Sequence, residues 1–204
     1  MLCFLIAIIC LSGNKSLVWR LFIPYLFFIC NSEFAGIYLK SIHHPNQWPY
    51  NVLLPLQIVF NNLLFINIYR QYLKNTNIIY IGMLMLFIIY IYDIFSHGFL
   101  LFNSNTYNVM SVIFVVYSMY YFYIILTDNR YLNLKSSANF WWVCGILFFY
   151  FGSTVVNLFR GRLKIQLSSG HYLTYYIYGI LNIIMYGFWC YTFICKRWST
   201  TLLD

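Results

Sequence analysis

Charge is what this sequence has least of: 8% of its residues are Asp, Glu, Lys or Arg, where soluble domains run near a quarter. Only four are acids, Glu33, Asp93, Asp128 and Asp204. With 62% of the residues hydrophobic, a water-soluble fold is excluded, because it would have to expose most of that apolar surface. The twelve Lys and Arg stand singly at the ends of apolar runs, so the net charge of +8 does not read as a nucleic-acid surface. No polar stretch is long enough to fold by itself. The six cysteines all fall in apolar segments without a C-x-x-C pair, which excludes a secreted disulfide framework and a zinc knuckle and leaves them as small packing residues. The opening run to Leu11 lacks the basic start and small-residue cleavage site of a signal peptide. It reads as a short first span.

What the sequence has is a succession of apolar windows of about 20 residues, the length that crosses a hydrocarbon core as a helix. They fall at 1–12, 18–41, 51–70, 76–99, 106–127, 138–160 and 171–195. Between them lie turn residues such as His43-His44-Pro45-Asn46 and Asn103-Ser104-Asn105. Runs such as 78–94 show no alternation of apolar and polar residues, which a membrane barrel strand needs. Helices satisfy their own backbone in lipid. The fold class expected is therefore an all-α integral membrane protein, a bundle of seven transmembrane helices with the first one short, in a single domain over 1–204 and with no soluble domain. Pro24 and Pro55, inside spans, are expected to kink them.

Seven spans put the termini on opposite sides. One side holds Lys15, Arg20, Arg70, Lys74, Arg130, Lys135, Lys196 and Arg197, and the other holds Lys40, Arg160, Arg162 and Lys164. The excess of basic residues marks the cytoplasmic side, so the expectation is N-terminus out and C-terminus in. Trp48, Tyr50, Trp141, Trp142 and Trp198 sit near span ends and fit an interfacial aromatic belt, although each one singly fits plain packing between helices equally well. Small residues such as Ala35, Gly36, Gly145, Gly152, Gly179 and Gly187 would let helices approach closely.

Polar residues at membrane depth are costly and therefore informative. Of the acids, Glu33 and Asp93 alone fall within spans, roughly 12 Å and 9 Å below the outer ends of their helices at 1.5 Å per residue. Helical spacing aligns Tyr90, Asp93 and His97 on one stripe, Tyr150, Ser153, Asn157 and Arg160 on another, and His171, Tyr175, Tyr178 and Asn182 on a third. Gln57 and Asn61 are one turn apart, as nearly are Asn108 and Ser111. Two readings stand. The stripes are interhelical hydrogen bonds holding the bundle together, or they line an outward-opening polar pocket formed by Glu33, Gln57, Asn61, Asp93, His97, Asn157, Arg160 and Tyr178.

Enzyme motifs are lacking: there is no phosphate-binding glycine loop, no H-E-x-x-H and no G-x-S-x-G. His43-His44 is too small a set for zinc, which wants three or four ligands. No cofactor and no metal are expected. A retinal protein needs a lysine in the middle of its last helix, and here Lys196 stands at the end.

The stretches 138–152, reading ANFWWVCGILFFYFG, and 178–184, reading YGILNII, resemble a group of small seven-span inner-membrane proteins common in Bacteroidota. The likeness extends over most of the chain in span number and length and includes a Glu near the outer end of the second span, here Glu33. An acidic residue that the group tends to carry on its third span is replaced here by the run from Gln57 to Asn62. The resemblance implies a bacterial inner membrane and seven helices, and no activity.

The function expected is a non-enzymatic polytopic module, receptor-like or accessory, with a polar pocket in the outer half of the bundle. Its loops are short, so output would pass through a membrane-protein partner or a homo-oligomer. Two other classes remain open: a pore-forming or transport component, with the polar stripes lining a path, and an intramembrane lipid-modifying enzyme using Glu33, Asp93 and His97 as acid and base.

Overall fold

A computed structural model describes residues 1–73, 75–128, 133–159, 163 and 172–201. Arg160 and His171, which the sequence places on polar stripes, lie outside the described residues, as do Lys74, Arg130, Arg162, Lys164 and Asp204. The elements are α1 (Leu2–Leu11), α2 (Leu17–Arg20), α3 (Phe22–Ser41), α4 (Trp48–Tyr69), α5 (Asn77–His97), α6 (Ser104–Thr127), a 3-10 turn (Leu134–Ser136), α7 (Ala138–Leu158) and α8 (Leu173–Thr201). Among the described residues, six helical segments are long and apolar enough to cross a membrane, Leu17–Ser41 being counted as one. The short first helix expected at 1–12 is present as Leu2–Leu11, 10 residues, about 15 Å long and half of a typical hydrocarbon core.

By packing, the chain divides into two compact units, 1–110 and 111–204. In the first unit, α1 lies against α3, with the Phe4 and Phe27 rings 6.2 Å apart. The break between α2 and α3 follows from Pro24, which has no N–H to offer the carbonyl of Arg20 and whose ring crowds it. That proline then occupies the first turn of α3, where amide groups lack helical partners in any case. Trp19 stacks on Phe22 at 5.7 Å, and Phe60 of α4 receives Phe22 edge-on at 4.7 Å and Tyr25 face-on at 3.9 Å. These rings are buried and join α2, α3 and α4.

In the second unit, α7 and α8 pack along their length. Gly145 and Gly152 make this possible: a Cβ at 145 would lie 3.1 Å from Cβ of Phe188, and one at 152 would lie 2.5 Å from Cδ2 of Leu181. Gly179 and Gly187, expected to serve the same purpose, have nothing within 4 Å of a Cβ position. Ser137 caps α7, its hydroxyl accepting from the amide of Phe140 at 3.4 Å. The carbonyl of Lys135 accepts from Trp141 Nε1 (3.1 Å), Tyr191 Oη (3.2 Å) and Cys195 Sγ (3.7 Å), tying the start of α7 to α8. Of the aromatics near span ends, Trp142 takes the packing role and is fully buried, whereas Trp198 is exposed. All six cysteines are free thiols.

Candidate functional site

The polar groups of the first unit converge where the α3–α4 and α5–α6 loops meet. Their arrangement begins with Pro55, inside α4, which leaves the carbonyl of Asn51, four residues earlier, without its helical donor. Tyr90 of α5 supplies the replacement: its hydroxyl donates to the Asn51 carbonyl at 3.0 Å. The side chain of Asn51 is fully buried. Its Nδ2 donates to the carbonyls of Phe99 (2.7 Å) and Leu101 (2.6 Å), and its Oδ1 accepts from the amide of Asn103 at 3.1 Å. Gln47 adds a parallel tie, its Oε1 accepting from the amide of Phe102 at 3.0 Å. One turn of α4 thus holds a whole loop by its backbone.

Asp93 serves α6 in the same way. It is 1% exposed, and both its oxygens are engaged. Oδ1 accepts from Asn105 Nδ2 at 2.9 Å, while Oδ2 accepts from the amide and the hydroxyl of Thr106 at 2.8 and 2.7 Å. Thr106 is the third residue of α6, the position whose amide an N-cap side chain normally takes. A carboxylate from the neighbouring helix therefore caps α6 and faces the positive end of its dipole. His97, one turn along α5, brings Nδ1 to 3.7 Å from Asp93 Oδ1, with its side chain 53% exposed. Beyond His97 the chain turns at Gly98, whose φ of 79° and ψ of 165° belong to a region open essentially to glycine.

Above this framework lies a cavity of about 640 Å³ lined by residues 45–47 and 97–101. Its walls are mostly apolar, from Pro45, Phe99, Leu100 and Leu101, with Asn46, Gln47 and His97 as the polar side chains. It is a half-open depression, with Leu100, Leu101 and His97 largely exposed at its edge, and its volume is of the order that small ligands occupy. Among the described residues no group of three or more His, Cys, Asp or Glu is placed to hold a metal.

Glu33 stands apart from this set. It is exposed on α3, and Tyr50 of α4 donates to its Oε2 at 3.2 Å. Gly36, one turn on, gives Tyr50 room to reach it, since a Cβ there would lie 2.7 Å from the Tyr50 hydroxyl. The two in-span carboxylates are thus engaged separately, Glu33 by Tyr50 and Asp93 by Asn105 and Thr106. Gln57 is half-buried and Asn61 fully buried on α4. In the second unit, Tyr178 donates to Asn157 Oδ1 at 2.9 Å across α7 and α8. Asn182 turns back on its own helix to the carbonyl of Tyr178 at 2.9 Å.

Of the residues expected to form a pocket, His97 lines the cavity and Asp93 lies one turn beneath it. Asn51, Gln47, Asn105 and Thr106 were missed. Asn51 carried a legible signal in standing four residues before Pro55, because the carbonyl that a proline frees in a membrane helix has to find another donor. The apolar loop 98–101 carried none. Comparison with known families, with curated proteins and with solved structures returns no match to this chain.

Proposed function

We propose that this protein is a non-enzymatic polytopic membrane module, receptor-like or accessory, that holds a small and mainly apolar ligand in the cavity at the α3–α4 and α5–α6 loops and passes its state to a partner protein. The observation that carries this reading is the cavity itself, whose loop wall is pinned by Asn51 and whose single histidine stands over a fixed carboxylate. A preformed wall spares the ligand the cost of ordering it. Asn51 and Asp93 spend their hydrogen bonds on protein groups, which speaks for a supporting role rather than for lining an ion path or transferring protons.

The membrane is that of a bacterium, the inner one, in keeping with the resemblance of 138–152 and 178–184 to the Bacteroidota group. The distribution of basic residues supports an orientation with the C-terminal end in the cytoplasm and the cavity opening outside. That assignment rests on the six long helices and does not need α1; an N-terminus outside would require α1 to cross as a seventh span.

The test uses an Asn46→Cys variant of a chain otherwise free of cysteine, labelled in intact cells with a membrane-impermeant maleimide. Octanoate serves as a probe amphiphile. The expected result is labelling from outside that octanoate slows, and no slowing when Leu100→Trp fills the cavity. Labelling only in broken cells, or labelling indifferent to octanoate, overturns the reading.

A further inference from the structure

We infer that the exposed face of α3 around Glu33 is an intramembrane docking surface for a transmembrane helix of another protein, one that carries a Lys or Arg at the matching depth. The inference rests on the reading above in that such a module needs a partner. Glu33 lies eight residues before the end of α3, roughly 12 Å down the helix axis. It is exposed there, with the Tyr50 hydroxyl as its described partner. Asn31, also exposed, puts a second polar group at that depth and satisfies it with the carbonyl of its own Phe27 at 2.9 Å. Around them project Phe34, 73% exposed, and Ile37, 68% exposed, at the i, i+3 and i+4 spacing that forms one helix stripe.

An ionisable side chain facing hydrocarbon is disfavoured, and in membrane proteins such groups face protein or a water-filled cavity and pair with a group of opposite charge. By contrast, α5 shows the lipid-facing pattern, with Ile81, Leu84, Ile88 and Phe95 exposed and its one acid, Asp93, turned inward. Charge complementarity selects the occupant. Every Lys and Arg of this chain stands at a span end or in a connection, so a second copy has no cation to set against Glu33 at its depth. A different helix with a basic residue does.

The experiment places a photoreactive benzoylphenylalanine at Phe34, and as a control at Ile88, in the full chain in its native membrane, and maps the crosslinked peptides. The expected product at Phe34 is a transmembrane helix of one other protein with a Lys or Arg within a turn of the crosslink. Its yield should fall at least about tenfold in Glu33→Gln, as loss of one member of a buried charge pair implies. Glu33→Asp should retain it, and Ile88 should crosslink lipid. Glu33→Gln keeps an acceptor for Tyr50, so the fold is not at risk. Crosslinks at Phe34 to lipid alone, to a second copy, to α7 or α8 of the same chain, or to a helix without a basic residue overturn the proposal. Loss of the crosslink with octanoate protection intact removes this interface and leaves the cavity reading standing. The reverse result removes the cavity reading alone.

Discussion

Replacing Asp93 by Ala is expected to lower the stability of the first unit by about 3 kcal/mol. Loss of an N-cap costs about 1 kcal/mol, and each buried donor left unsatisfied costs about 1 to 3 kcal/mol more. Asp93→Ala leaves the buried Thr106 amide, which is the capped group, and the buried Thr106 hydroxyl without their acceptor, whereas the amide group of the exposed Asn105 adds little. It also removes a negative charge from the positive end of α6. Asp93→Asn should cost about half as much, because one amide oxygen still accepts while the amide NH2 confronts a donor. The measurement is thermal denaturation in detergent, followed by the reactivity of Cys3, which is buried in this unit. A loss below about 1 kcal/mol for Asp93→Ala would mean that α6 is not capped by this carboxylate.

Asn51→Leu is expected to cost a similar amount, about 3 kcal/mol, for a different reason: the volume is kept, but the carbonyls of Phe99 and Leu101 and the amide of Asn103 lose their partners. The wall of the cavity is then released from α4, so octanoate protection at Asn46→Cys should disappear in the same variant. The link through Pro55 can be measured separately. Tyr90→Phe removes the donor to the Asn51 carbonyl and should cost about 1 kcal/mol. In a Pro55→Ala background the helix regains its own amide at position 55, and the cost of Tyr90→Phe should fall towards zero. A double-mutant cycle reads that difference as coupling. Additive effects would show that Tyr90 does not stand in for the missing helical amide.

These predictions fall on residues of unequal legibility. Asp93 was readable because an acid inside an apolar run must be compensated, and its i, i+4 relation to His97 is a property of any helix. That its main partners are a backbone amide, a hydroxyl and an amide side chain just across the following loop, and not another charge, was not readable. Sequence spacing marks same-helix neighbours only. Glu33 was equally conspicuous by composition, yet it faces outward beside Tyr50, and no periodicity in α3 distinguishes that face from the buried one.

The sequence by itself determined the helical character, the six long apolar segments and the rarity of charge within them, because backbone hydrogen bonding in lipid leaves an apolar run of that length little choice but a helix. It also determined the interruption at Pro24, since a missing amide is a local fact. The short first segment was legible as well, since the apolar run ends at Leu11; only the tertiary structure decided that Trp142 is fully buried and that Asn51 and Asp93 spend their polarity on holding a loop and a helix start. In helices this apolar throughout, hydrophobic pattern no longer separates inside from outside. The choice passes to small-residue contacts such as those at Gly145 and Gly152 and to hydrogen bonds between helices, which depend on partners far away in sequence.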